Sequence, residues 1–343
     1  MGWQRALGDA VDSVGELLAL VGVVPQELPS HLRPDAAAGR DFALRVPRGF
    51  VARMRAGDPR DPLLLQVLPT AAELVAAPGF SADPLAETVA ADAVSPLPGV
   101  LHKYRGRALL LVTGACGVHC RYCFRRHFPY VEHARWGEGF ERALAWLRAS
   151  PGIEEVILSG GDPLSVGDDR LGELAAGLAG IPHLRRLRVH SRMPVILPER
   201  IDAPLLQWLA GGEGASGARR PLAPVLVLHA NHARELDGAV AAAVGRLRAA
   251  GVTVLNQAVL LAGVNDSLAA LCDLSRALLD AGVLPYYLHL LDRVAGAAHF
   301  EVADERAQAL LRGMMEELPG YLVPRLVREV PGAPYKVPLP LVG

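Results

Sequence analysis

The sequence predicts an α/β protein: a parallel, barrel-like sheet of six β/α units, with a mainly helical region before it and a short segment after it. Three observations carry this. From Ala108 onward, short β-rich apolar runs alternate with longer amphipathic stretches. Polar residues cluster at the carboxyl end of every one of those runs. A chain of 343 residues with 51% hydrophobic content can also bury a large core.

Taken in order, the first hundred residues are punctuated by proline, with helix-like pieces between Trp3 and Leu20 and a polar linker around Gly57 to Asp61. No strand pattern dominates there. Six strands are predicted after it, at Ala108–Thr113, Glu155–Ser159, Leu187–His190, Val225–His229, Thr253–Val259 and Pro285–Leu290. Helices are predicted between them at Phe140–Ala149, Leu171–Leu178, Pro198–Leu209, Leu236–Ala250 and Ser267–Ala281. Right-handed crossovers then give a parallel sheet, and its continuous apolar strands suggest burial on both faces.

The strand ends hold the chemistry. A cysteine loop follows the first strand, Ser159-Gly-Gly-Asp162 ends the second, His190-Ser-Arg192 the third and His229-Ala-Asn-His232 the fourth. Asn256-Gln257 lies within the fifth, and Leu291-Asp292-Arg293 follows the sixth. Each alone is weak, because a strand-end histidine is commonly structural and a Gly-Gly pair commonly marks a turn. Their shared location is the signal. Gly160 and Gly161, lacking Cβ, would let backbone approach a bound ligand.

Cys116, Cys120 and Cys123 form a C-x3-C-x2-C triplet and account for three of the four cysteines. Three thiolates can hold three corners of a [4Fe-4S] cluster and leave one iron open, a site that can chelate S-adenosylmethionine (SAM) and reduce its sulfonium. The alternatives fit less well. A structural zinc needs four ligands, and the nearby His119 adjoins Cys120. An odd triplet without an export signal does not suggest disulfides. Cys272, in an apolar helical stretch, reads as a small core residue.

A formal charge of -1 and the absence of a basic tract argue against nucleic-acid binding. Leu17 to Val24 is too short to span a bilayer, and Asp9, Asp12 and Glu16 spoil a signal-peptide profile. No membrane association and a cytoplasmic location are expected, which suits an oxygen-sensitive cluster. Among 35 basic residues only Lys103 and Lys336 are lysines. In so arginine-rich a chain, a retained lysine can mark a role that needs a primary amine, such as a Schiff base with pyridoxal 5'-phosphate (PLP). Drift explains two lysines equally well. Lys336 lies in the loop-like Pro331-Gly-Ala-Pro-Tyr-Lys-Val-Pro338, from which it can reach into a site.

The sequence resembles the lysine 2,3-aminomutases. The likeness is carried by Cys116 to Arg126, Ser159-Gly-Gly-Asp162, Ser191-Arg-Met-Pro-Val195, His229-Ala-Asn-His232, Asn256 to Asp266 and Pro285-Tyr-Tyr287, in order, from about His102 to Val337. Cys120 to Tyr130 and the short C-terminus look most like the branch that makes β-lysine for modifying translation elongation factor P. The resemblance implies a partial (β/α)6 radical SAM barrel over residues 102–300, a mainly helical region at 1–101 and a PLP-lysine segment at 301–343. It implies a [4Fe-4S] cluster on Cys116, Cys120 and Cys123, SAM, and PLP on Lys336. Lys103, Tyr104 and Arg107 match the segment around the PLP phosphate. Ser159, Gly160, Gly161, Asp162, His229 and Gln257 are assigned to cofactor binding.

For the substrate, lysine, Arg125 matches the carboxylate-binding arginine, and Asp292 and Glu329 match the acids that hold the distant ammonium. Two carboxylates there favour a terminal cation over a third negative charge. Glu329 replaces the more usual Asp. The expected partners are a reducing electron donor and, functionally, elongation factor P with its lysyl-ligase; a homo-oligomer is possible. Longer family members hold a structural zinc through a cysteine where this chain has Ser267, so that zinc is not expected. A lysine 2,3-aminomutase serving catabolism or secondary metabolism is an alternative, and an iron-sulfur electron carrier or redox sensor is one of another class.

Overall fold

The computed structural model describes residues 2–88, 95–130, 138–211 and 222–340. The chain opens with short helices: α1 (Gly2–Gly8), α2 (Val14–Val21), α3 (Ala36–Asp41), α4 (Arg48–Val51) and α5 (Pro62–Leu65). The helix-like stretch expected from Trp3 to Leu20 is thus two helices. Val11 leaves the first to pair with Val46, and Ser13 starts the second by accepting from the Glu16 amide. The expected polar linker at Gly57 to Asp61 is not a spacer. Asp61 is wholly buried, accepts from the Leu63 and Leu64 amides at 2.9 and 3.0 Å, and pairs with Arg234. Sequence polarity misleads here because a buried carboxylate is tolerated once capped and paired.

The sheet begins with β1 (Val100–Tyr104), turns into β2 (Arg107–Thr113), and continues through β3 (Glu155–Gly160), β4 (Arg186–Ser191), β5 (Ala223–Leu228), β6 (Thr253–Val259) and β7 (Leu284–His289) to β8 (Arg325–Arg328) and β9 (Val337–Pro338). Strand order follows chain order from β1 to β9. Every pairing from β2 to β8 is parallel, and both edge strands are antiparallel. Such unreversed winding curls a sheet toward a barrel, and among the described residues β1 and β9 do not meet, so the barrel is partial.

Between strands lie α6 (Glu138–Arg148), α7 (Asp168–Ala179), α8 (Met193–Ile196), α9 (Ala203–Ala210), α10 (Gly238–Ala249), α11 (Leu268–Asp280) and α12 (Asp304–Glu317). Their apolar faces, such as Leu171, Leu174 and Leu178 of α7 or Val240, Val244 and Leu247 of α10, are fully buried in the core around the sheet. Ser267 caps α11 by accepting from the Ala270 amide at 3.2 Å.

Two expectations change. The parallel run has a seventh strand, β8, so residues after 301 extend the barrel rather than merely follow it. Four residues, Arg-Leu-Val-Arg, carry too little apolar pattern to announce a strand. Burial on both faces holds for β3, where all six residues are buried, but β4 and β6 alternate. On β4, Arg188 and His190 turn to an inner face that lines an open cavity instead of a packed centre.

Candidate active site

The cysteine loop leaves β2 at Thr113 and is held from beneath by the N-terminal region. Arg121, wholly buried, donates Nε and Nη2 to the Glu73 carboxylate at 2.8 and 2.6 Å, and reaches the Phe42 and Ala38 carbonyls at 2.6 and 3.1 Å. Arg126 meets the same carboxylate at 2.9 Å. Both guanidiniums stand about the Phe42 ring, at 5.0 and 4.9 Å. His119 is spent on this clamp, with Nδ1 2.8 Å from the Ala43 carbonyl. Gly117 is needed for packing, because a Cβ there would lie 2.6 Å from Met193 Sδ.

Cys116, Cys120 and Cys123 all face one cavity of ≈ 290 Å³. Among the described residues no three His, Cys, Asp or Glu side chains converge on one point as a single ion demands. A cubane asks for something else, since each of its cysteines holds a different iron. Burial pushes the Cys116 and Cys123 thiols up, the latter to about 11, with neighbouring thiols adding to the effect. Arg192 offers a compensating charge, its Nη1 2.8 Å from Cys120 Sγ.

The same cavity takes in every other residue assigned to a cofactor or the substrate, namely Lys103, Tyr104, Arg107, Arg125, Ser159, Gly160, Gly161, Asp162, His229, Gln257, Asp292, Glu329 and Lys336, but not the strand-end residues His232, Asn256 and Arg293. Within the cavity, Lys336 pairs with Glu329, which also accepts from the Tyr104 hydroxyl. Glu329 follows β8 directly, so it occupies the strand-end position shared by the other site residues. Burial raises its pKa, but Lys336 and Tyr104 hold it below the ordinary range. Asp292 has no such partner among the described residues. Burial and the nearby Glu329 push its carboxyl up to about 7, against the pull of Lys336.

Four of the residues expected at a cofactor have close protein neighbours of their own. Asp162 accepts from Ser191 Oγ, and from the Leu164, Arg192 and Met193 amides, at 2.7 to 3.1 Å. Its carboxylate positions the end of β4. His229 has Nδ1 3.0 Å from the Gln257 carbonyl, so that proton fixes the tautomer and leaves Nε2 to accept from Tyr122 at 2.8 Å. Burial, then Arg192, holds it neutral, down to about 4. The space expected for a ligand above Gly160 and Gly161 belongs to the chain itself. A Cβ would lie 2.2 Å from the Thr113 carbonyl at Gly160, whose φ is 136°, and 2.3 Å from the Ala115 carbonyl at Gly161. Both glycines let β3 and the cysteine loop touch.

The cavity also holds residues that sequence reading did not single out. Arg188, paired with Glu155, and His289 alternate inward on β4 and β7. The period-two series Arg186, Arg188, His190 in an otherwise apolar strand is the signal that could have flagged the first. His190 and His289 have buried Nε2 atoms without a hydrogen-bond partner among the described residues, and burial holds both rings neutral. Arg107 has no ion-pair partner among the described residues and lies over the Tyr104 ring at 4.5 Å. Glu87, on an irregular stretch with no periodicity to betray it, binds Arg125 and Lys103.

Curated relatives match nearly the whole chain. An L-lysine 2,3-aminomutase of Escherichia coli K12 is 49% identical over 339 residues, 99% of this chain and 94% of the relative. One from Haemophilus influenzae is 43% identical over 97% and 94%, and one from Clostridium subterminale 33% identical over 98% and 77%. No family model matches. Among solved structures, a radical SAM methyltransferase from Sphaerobacter thermophilus superposes with a TM-score of 0.46 at 19% identity, covering 67% of this chain and 68% of its own. On the strength of the full-length relatives, the chain belongs to the lysine 2,3-aminomutase family.

Proposed function

We propose that the protein is a radical SAM, PLP-dependent isomerase that converts L-α-lysine into β-lysine by moving the amino group from C2 to C3. The observation that carries this is one cavity lined by the cysteine triplet, Asp292 and the Lys336–Glu329 pair, in a chain 49% identical to an L-lysine 2,3-aminomutase.

The residues fit the implied groups. Three soft thiols on one loop suit an iron-sulfur cluster. Gln257 remains for SAM, since Asp162, His229 and Ser159 have protein partners, although Ser159 Oγ, accepting from Arg125, keeps its own proton to donate. For PLP the cavity offers Lys336 as anchor, the cations Lys103, Arg107 and Arg188, and the unpartnered Nε2 atoms of His190 and His289. When bound, the cluster with SAM supplies a carbon-centred radical, and PLP supplies the π system across which nitrogen shifts.

The chain's own residues do the rest. Arg125 holds the α-carboxylate through a planar fork. Asp292 and Glu329 take the far ammonium, so Glu329 exchanges its present lysine partner for the substrate's ammonium. Leu291, Tyr286 and Tyr287 wall the cavity and exclude water from a reactive radical. Residues 1–101 back the cysteine loop, 102–300 carry the strand-end residues, and 301–343 supply Glu329 and Lys336. β-Lysine made in the cytoplasm would serve modification of elongation factor P through its lysyl-ligase; the sequence likeness of Cys120 to Tyr130 supports that branch.

Anaerobic protein reconstituted with iron, sulfide and PLP, then given SAM, a reductant and L-lysine, is expected to form β-lysine. SAM cleavage without lysine isomerisation would overturn the substrate, and no SAM cleavage would overturn the chemistry. Mass spectrometry of elongation factor P from a deletion strain tests the destination: an unchanged mass excludes it.

A further inference from the structure

Glu87 stands on a tight turn whose geometry commits it to the cavity wall. Asp83 accepts from the Glu87 and Thr88 amides at 2.9 and 2.8 Å and from Thr88 Oγ1 at 2.5 Å. Between them Ala86 has φ 51°, the one non-glycine residue in the left-handed region among those described. An L-residue there is strained, so the turn is held by the contacts it makes possible.

The contact it makes is a buried three-way pairing. Glu87, 3% exposed, accepts Arg125 Nε at 2.7 Å and Nη2 at 3.0 Å, and Lys103 Nζ at 2.9 Å. Burial raises its pKa, but Arg125 and Lys103 bring it down to about 2, so it is a carboxylate at any working pH. Glu87 takes one side of the guanidinium, and Ser159 Oγ lies 3.2 Å from Nη1. One proton each on Nη1 and Nη2 remains, and the Nη1–Nη2 side is the one that no carboxylate of the described residues closes.

We propose that Glu87 is a positioning residue for the amino-acid substrate: by occupying the Nε–Nη2 side of Arg125 and tying Lys103 to the same carboxylate, it holds the Nη1–Nη2 edge open toward the α-carboxylate. This rests on the lysine reading of the cavity. The rival role is a plug, a carboxylate that the substrate must displace from Arg125. The two differ in sign, because losing a support weakens binding and losing a plug strengthens it.

The test uses full-length, cluster- and PLP-loaded protein without SAM, titrated with L-lysine and with cadaverine, which is lysine without its carboxylate, and read from the absorbance of bound PLP. Glu87→Ala is expected to weaken lysine by about tenfold or more while cadaverine changes by less than about twofold. Glu87→Gln, which keeps the volume and one acceptor, should fall between and guards against a folding defect. In turnover the KM for lysine should rise more than kcat falls. Tighter lysine binding, an equal loss for both ligands, or no change overturns the role of Glu87 alone. A wild-type protein that does not prefer lysine to cadaverine overturns the lysine reading with it.

Discussion

Two groups of paired charges, one against the cysteine loop and one in the cavity, are built differently. Against the loop, Glu73 meets Arg121 and Arg126, the arginines reach backbone carbonyls as well, and the side chains of Glu73 and Arg121 are 1% and 0% exposed. In the cavity, Asp292 has no ion-pair partner among the described residues, and Glu329 pairs with the amine of Lys336. The first group balances its charges internally, and only Arg126 Nε is left without a hydrogen-bond partner among the described residues. The second is short of positive charge, which the ammonium of the proposed substrate would supply. Burial alone therefore does not mark a site; unfinished pairing does.

Substitutions separate the two. The largest effects are expected in the cavity: Lys336→Ala should leave iron content unchanged but abolish borohydride-trapped PLP, and Cys116→Ala, Cys120→Ala or Cys123→Ala should abolish SAM cleavage. Normal trapping or cleavage in any of them would remove that residue's role. Next, Glu73→Gln strands two buried guanidiniums and should cost about 3–5 kcal/mol in chemical denaturation. Little change there would collapse the distinction between the groups.

A third contrast is in pH. Below about 7 Asp292 carries a proton, and an ammonium can bind beside it only if that proton leaves. The lysine KM should therefore fall as pH rises toward about 7, by up to roughly tenfold per unit, and level off above it. Asp292→Asn should flatten that profile and raise KM by roughly 10- to 100-fold at neutral pH. A wild-type profile with no break near neutrality would argue against Asp292 as an ammonium partner. The smallest effect belongs to neither group: Ser267→Ala removes the α11 cap and should cost about 1 kcal/mol in thermal denaturation, with KM unchanged.

The sheet was largely legible because β2 to β7 are apolar runs bounded by turn residues, and each begins and ends within two residues of its predicted place. β1, β8 and β9 were missed since they are edge or near-edge strands of two to five residues bearing Arg, Lys, His or Pro. In the cavity, residue types were readable but commitments were not. Nothing in Ser159-Gly-Gly-Asp162 tells that the carboxylate turns back onto β4 or that the glycines admit Thr113 and Ala115. Glu87 was invisible because its partners, Lys103 and Arg125, are 16 and 38 residues away.

β9 is only two residues long and pairs through Val327 with Pro338 and Arg328 with Val337. So short an edge opens at little cost compared with the parallel strands beside it. Lys336, one residue before it, therefore moves with the least protected part of the sheet. Fraying of this hairpin would swing the anchor amine out and back while the cysteine loop, clamped by Glu73, stays fixed. Amide hydrogen exchange should be fast at Val337 and slow across β3, so that one part of the cavity wall turns over on a shorter clock than another.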